Sequence, residues 1–166
     1  MPNPNSEPNS IGKTLDEFRQ YIDPQTLIFS PPDDFRTRND EMDESYQLHK
    51  IKVLRKWESL EDYCKVKILK WGYFKLPNGK YKANHYIFGW KKEGLTLANF
   101  PYFLEEGVEH YILWLIGYSD EKIAIQSVKQ ELENLGFDLE KTAIFRNEVK
   151  NLSVAGFPHI HFLTRK

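Results

Sequence analysis

Hydrophobic and polar positions alternate with two different periods along this chain, and the change of period divides it. Between Thr14 and Ile22 the spacing predicts a short helix that ends before Asp23 and Pro24. Residues 31–44 carry many acids and few apolar side chains, and read as an acidic, solvated loop. A charged helix is predicted from Gln47 to Trp57. Ser59 is an N-cap for a second one, because its hydroxyl can accept from the first turn while Glu61 and Asp62 complement the helix dipole. Leu60, Tyr63, Cys64, Ile68 and Trp71 suit the buried face of that helix.

Period-two patterning follows. Asn78-Gly79 supplies the positive φ angles of a tight hairpin, with strands predicted at 72–75 and 81–90. Further strands are predicted at 95–100 and, after a turn at Gly107, at 108–116. Ser119 caps the clearest helix, whose apolar residues Ile125, Val128, Leu132 and Leu135 recur at steps of three and four before Gly136 ends it. Strands at 141–147 and 158–164 close the chain. The expected fold class is α+β: N-terminal helices, then an antiparallel sheet crossed by one long helix. Residues 1–11, rich in Pro, Asn and Ser, read as a flexible arm, and 12–166 as a single domain.

Composition narrows the function. A net charge of -1 argues against an extended nucleic-acid groove, which needs a clear basic excess, but leaves room for a small nucleotide. The single cysteine, Cys64, excludes an internal disulfide and Cys-rich zinc motifs, and suits a reducing compartment. Neither a signal peptide nor an apolar run near the ~20 residues of a membrane span is visible. The expectation is a cytoplasmic protein with no membrane partner and no cofactor.

The candidate chemistry lies in the histidines. In a strand, His159 and His161 share one face while Ile160 and Phe162 take the other. Paired imidazoles suit phosphate binding, or nucleophilic and acid–base work, near neutral pH. The bland alternative is two strand histidines bonded to nearby backbone. His110 alternates with Val108, Ile112 and Trp114 on a strand face, where a lone histidine is more often a satisfied core residue. With His159 and His161 it offers three imidazoles to a metal, although no compact metal signature accompanies them. His85 is expected beside the sheet and His49 on solvated surface. Asn99, Phe100, Pro101 and Tyr102 offer either a stacking wall for a base or sugar, or a strand exit packed into the core. Trp90 and Trp114, with Glu109, faintly echo a site that sandwiches a methylated cap base, against the simpler reading of buried Trp. Lys65, Lys67 and Lys70 read as a solvated helix face.

Two resemblances rest on these motifs. Over residues 50–166 the order of a Trp-containing helical region, Asn99-Phe100-Pro101-Tyr102, Gly107-Val108-Glu109-His110 with its apolar run to Trp114, and His159-Ile160-His161 resembles the fungal N-acetylglucosamine-induced protein family, a domain of unknown function. Residues 95–166 also resemble a shortened histidine triad domain. That resemblance implies a nucleotide ligand, His161 as nucleophile toward the α-phosphate, His159 and His110 as phosphate-orienting groups, and Asn147 with Ser153 as polar contacts. The sequence departs from the triad at Leu163, where the third histidine would stand, and His110 or Arg165 is a substitute to consider. Two expectations follow: a site for a nucleotide or other phosphorylated small molecule, with hydrolysis or transfer attached, or a non-catalytic domain with a protein partner.

Overall fold

The computed structural model describes residues 11–84, 93–115, 121–148 and 159–165. Chain order is α1 (Leu15–Arg19), β1 (Ile28–Phe29), α2 (Asp40–Lys56), α3 (Leu60–Lys67), β2 (Tyr73–Lys75), β3 (Tyr81–Ala83), β4 (Glu93–Leu97), β5 (Val108–Leu115), α4 (Glu121–Asn134), a 3-10 turn (Leu139–Lys141), β6 (Thr142–Asn147) and β7 (His159–Arg165). Three of the four helices precede β4–β7 of a five-stranded sheet, and the α+β class stands. The sheet runs β1-β6-β7-β5-β4, and the β2–β3 hairpin stands apart from it. The expectation of a wholly antiparallel sheet is corrected at one edge: β1 pairs with β6 in parallel, Ile28 opposite Arg146 and Phe29 opposite Asn147. Two residues are too short a run to announce themselves by alternation.

Each face of the sheet has its own cover. Leu113, Ile160 and Phe162 point toward α4, where they pack with Ile125, Val128 and Leu132. Leu135 does not join them and is exposed. It falls in a Schellman ending, in which Phe137 N–H donates to Leu132 O (3.0 Å), Gly136 N–H donates to Glu133 O (3.0 Å) and Gly136 takes φ +85°. On the opposite face, Ala143, Phe145 and Leu163 meet Leu15, Phe18, Phe29 and Tyr102. Farther along that face Trp114 meets Cys64 of α3. The stretch of sheet between these two patches carries the histidines.

Local chemistry explains the helices. Five residues cannot sustain a helix alone, but α1 has a full capping box between Thr14 and Glu17 and buries Phe18 completely. The helix predicted from Gln47 begins earlier, at Asp40. Asn39 accepts from Met42 N–H (2.8 Å), and Asp40, Glu41 and Asp43 sit in the first turn. The acids that suggested a loop therefore favour the positive end of the helix dipole. Ser59 caps α3 as expected. Lys65 is only partly exposed, pairing with Glu61 and lying over Trp71 at 5.2 Å, so it is not simply solvated. Residues 1–10, Ser119, His85, Trp90 and Ser153 lie outside the described residues. Among the described residues no helix is long and apolar enough to cross a membrane.

Candidate functional site

Register brings the histidines together. Antiparallel pairing sets His159 opposite Trp114, His161 opposite Ile112 and Leu163 opposite His110. Directly opposed residues share a face, so all three imidazoles project from the same side of β5 and β7. His110 lies directly across the ladder from Leu163. Arg165 is no substitute: it pairs with Glu105 (3.1 Å) at the far end of the sheet.

The rings form a connected, buried group. His110 Nε2 lies 2.8 Å from His161 Nδ1. Tyr102 donates its backbone N–H to His110 Nδ1 at 3.2 Å. Asn147 places its side-chain amide 3.3 Å from His161 Nε2 and 3.1 Å from Tyr102 Oη. His159 stands edge-on to His161, centroids 5.1 Å apart, and packs against Trp114 at the same distance. Burial is the main cause that holds His110 down to about 3, with the charges of Arg38 and His159 adding to it. His161 lies well below the ordinary histidine value, again through burial first and then the neighbouring His110 and His159. Both rings are neutral at physiological pH.

These groups line a cavity of about 430 Å³, together with Arg38, His49 and Cys64. Sequence reasoning missed Arg38. It sits in the segment read as a solvated loop, yet its Nη2 donates to Phe100 O (2.9 Å), and its guanidinium packs over Tyr46 (4.5 Å) and Tyr102 (5.0 Å). Its Nε is buried with no hydrogen-bond partner among the described residues. Asn39, a strong cap residue immediately after Arg38, was the available signal that the chain turns inward here. His49 is likewise corrected from surface to cavity wall: it is half-buried, 4.5 Å from Phe100 and 5.3 Å from Tyr63. Burial, then Lys52, lowers its pKa.

Of the remaining candidates, Tyr102 is buried and Asn99 exposed at the cavity border. Glu109 lies on the opposite strand face from Trp114 and bonds Tyr111 Oη (2.7 Å), while Trp114 Nε1 donates to Thr96 (3.1 Å), so these two do not converge. Burial pushes the Cys64 thiol up to about 12, which removes it as a nucleophile. Among the described residues no three His, Cys, Asp or Glu side chains gather to hold a metal. The facing nitrogens of His110 and His161 are turned to each other.

Fold and site together define an α+β protein with a polar cluster of histidines at the wall of an internal cavity. Residues 25–165 match the family described as "Protein of unknown function (DUF3605)", and the chain belongs to that family. No curated protein matches it. A solved structure titled "Crystal Structure of HTC1" is similar at 19% identity, covering 78% of this chain and 76% of its own, with a TM-score of 0.48.

Proposed function

We propose that the cavity binds a small phosphorylated molecule, with nucleotides the class it suits best, and that it does so without covalent attack by His161. Arg38 is the observation that carries this reading. A guanidinium with a buried, unpartnered Nε beside neutral histidines leaves local positive charge for an anion to offset. The volume falls in the usual ligand range of roughly 300–1,000 Å³. His49, Phe100, Tyr63 and Trp114 give it aromatic walls suited to a base. Covalent attack requires a free imidazole lone pair, and both ring nitrogens of His161 face polar partners within 3.3 Å. We also read the chain as kin to the N-acetylglucosamine-induced proteins and its C-terminal half as a histidine triad relative turned toward binding.

A thermal-shift series with inorganic phosphate, sugar phosphates and nucleoside mono-, di- and triphosphates tests the reading. A ligand at 100 times its Kd adds about 2.7 kcal/mol to stability, which is several degrees in Tm for a chain of this size. The expected result is such a shift from one phosphorylated class, lost in Arg38→Met, with the mass of the protein unchanged after incubation. No shift from any of these compounds, or an equal one in Arg38→Met, would overturn it.

A further inference from the structure

The hydrogen bonds through the histidine pair have only one consistent direction, and one backbone group sets it. A main-chain N–H cannot reverse its role, whereas hydroxyl rotors, amide orientations and imidazole tautomers adjust to their neighbours. Tyr102 N–H donates to His110 Nδ1, so that nitrogen carries the lone pair. A neutral His110 then bears its hydrogen on Nε2, which lies 2.8 Å from His161 Nδ1 and donates to it. His161, accepting at Nδ1, bears its own hydrogen on Nε2 and directs it at the Asn147 amide, 3.3 Å away. Nδ2 of that amide faces both His161 Nε2 and Tyr102 Oη (3.1 Å). As a donor it would force the His161 hydrogen onto Nδ1, head-on against His110 Nε2–H. The relay therefore requires the amide turned over, with Oδ1 accepting from His161 Nε2–H and from the Tyr102 hydroxyl. Both hydrogens of Asn147 Nδ2 are left for a partner outside this chain of bonds, and Asn147 borders the cavity.

We propose that His110 is a positioning residue that fixes this polarity, Tyr102 to His110 to His161 to Asn147, so that the site offers hydrogens rather than lone pairs to its ligand. Asn147 Nδ2 and the Arg38 guanidinium, from two residues that line the same cavity, then offer donors selective for acceptor oxygens carrying no proton, such as those of an ionised phosphate. The choice of phosphate rests on the function proposed above; the polarity does not. Placing a proton on the pair would break the direction, because a hydrogen on His110 Nδ1 would meet the Tyr102 N–H head-on.

Long-range ¹H–¹⁵N spectra of the protein at pH 7 read the tautomers directly. Both His110 and His161 are expected as the neutral form protonated on Nε2. His110→Gln supplies an acceptor and a donor in similar places, and is expected to keep the His161 signature. His110→Leu removes both and is expected to lose it. A wild-type His161 found charged, or protonated on Nδ1, overturns the proposal without any variant having to fold. So does a His161 signature unchanged in His110→Leu. The ligand arm uses AMP: Asn147→Asp, which replaces donors by a charged acceptor, is expected to weaken its binding at least tenfold. Correct tautomers with no AMP binding to the wild type would support the relay and overturn the proposed ligand class. Correct tautomers with undiminished binding in Asn147→Asp would overturn the donor assignment.

Discussion

Contacts of several kinds converge on Tyr102. Its ring stacks on Phe18 at 5.7 Å and lies 4.4 Å from His110, its N–H anchors His110, and its hydroxyl reaches Asn147. This packing keeps water from the two histidines, and it has a consequence for pH. Unfolded, each histidine titrates near 6.5; folded, His110 does so only at about 3, and His161 well below 6.5. The unfolded chain therefore binds more protons below pH 6.5. Stability is complete above that value and falls as the pH drops toward the folded pKa, by about 1.4 kcal/mol per pH unit for each neutral buried histidine. Urea denaturation at pH 7.5 and pH 5.5 is expected to show this loss, and His110→Gln, which removes one of the contributing groups, is expected to show a smaller one. Equal stability of the wild type at both values would mean that the rings are not held neutral.

At the scale of elements, one buried carboxylate joins α3 to the hairpin. Asp62 donates its N–H to Ser59 Oγ (3.0 Å) and accepts the Ser59 hydroxyl at Oδ2 (2.6 Å); its Oδ1 accepts Ala83 N–H at 2.9 Å. Removing it leaves the Ala83 N–H buried without that partner as well as weakening the cap. Asp62→Ala is expected to cost about 2–4 kcal/mol, whereas Glu61→Ala, which loses a partly exposed pair with Lys65, is expected to cost no more than about 1. Chemical denaturation of the two variants decides it, and equal losses would show that Asp62 does not carry the junction. Ser59 and Asp62 were legible in the sequence because a cap is a local event. So was the shared face of His159 and His161, which needs only the alternation of a strand. The meeting of His110 with His161 was expected only through the resemblance and not from spacing, because it depends on the register between strands separated by a helix. Arg38 was hidden for a similar reason. A charge in a polar run looks solvated until the packing of Tyr46 and Tyr102 around it is known.

At the scale of the whole molecule, the cavity face is completed by a segment that lies ahead of the family match, which begins at residue 25. Phe18 is fully buried among Phe29, Phe35, Tyr102 and Phe145, with centroids 5.3–5.8 Å from its own. Just before it the chain is stitched to the strand exit at 103–105: Lys13 N–H donates to Phe103 O (2.9 Å) and Glu105 N–H donates to Lys13 O (3.0 Å). Gly12 lies so close that a Cβ there would fall 2.1 Å from Leu104 O, so the approach requires glycine. These contacts make residues 12–18 part of the folding unit, and the matched segment alone lacks the cover over Tyr102 and Phe145. Burial and backbone bonding, rather than position in sequence, decide what can be trimmed. The test is a shortened chain. One beginning at Gln25 is expected to lose its cooperative transition. Phe18→Ala, by deleting a buried ring worth about 3–5 kcal/mol, is expected to lower Tm by roughly 10 °C, at about 2–4 °C per kcal/mol. Because Phe18 also props the ring of Tyr102, its loss is expected to disturb the His161 tautomer signal at temperatures where the variant is still folded. If the chain from Gln25 melted cooperatively at the wild-type temperature, the first helix would be an accessory, and the histidine cluster would owe its burial to the sheet and α3 alone.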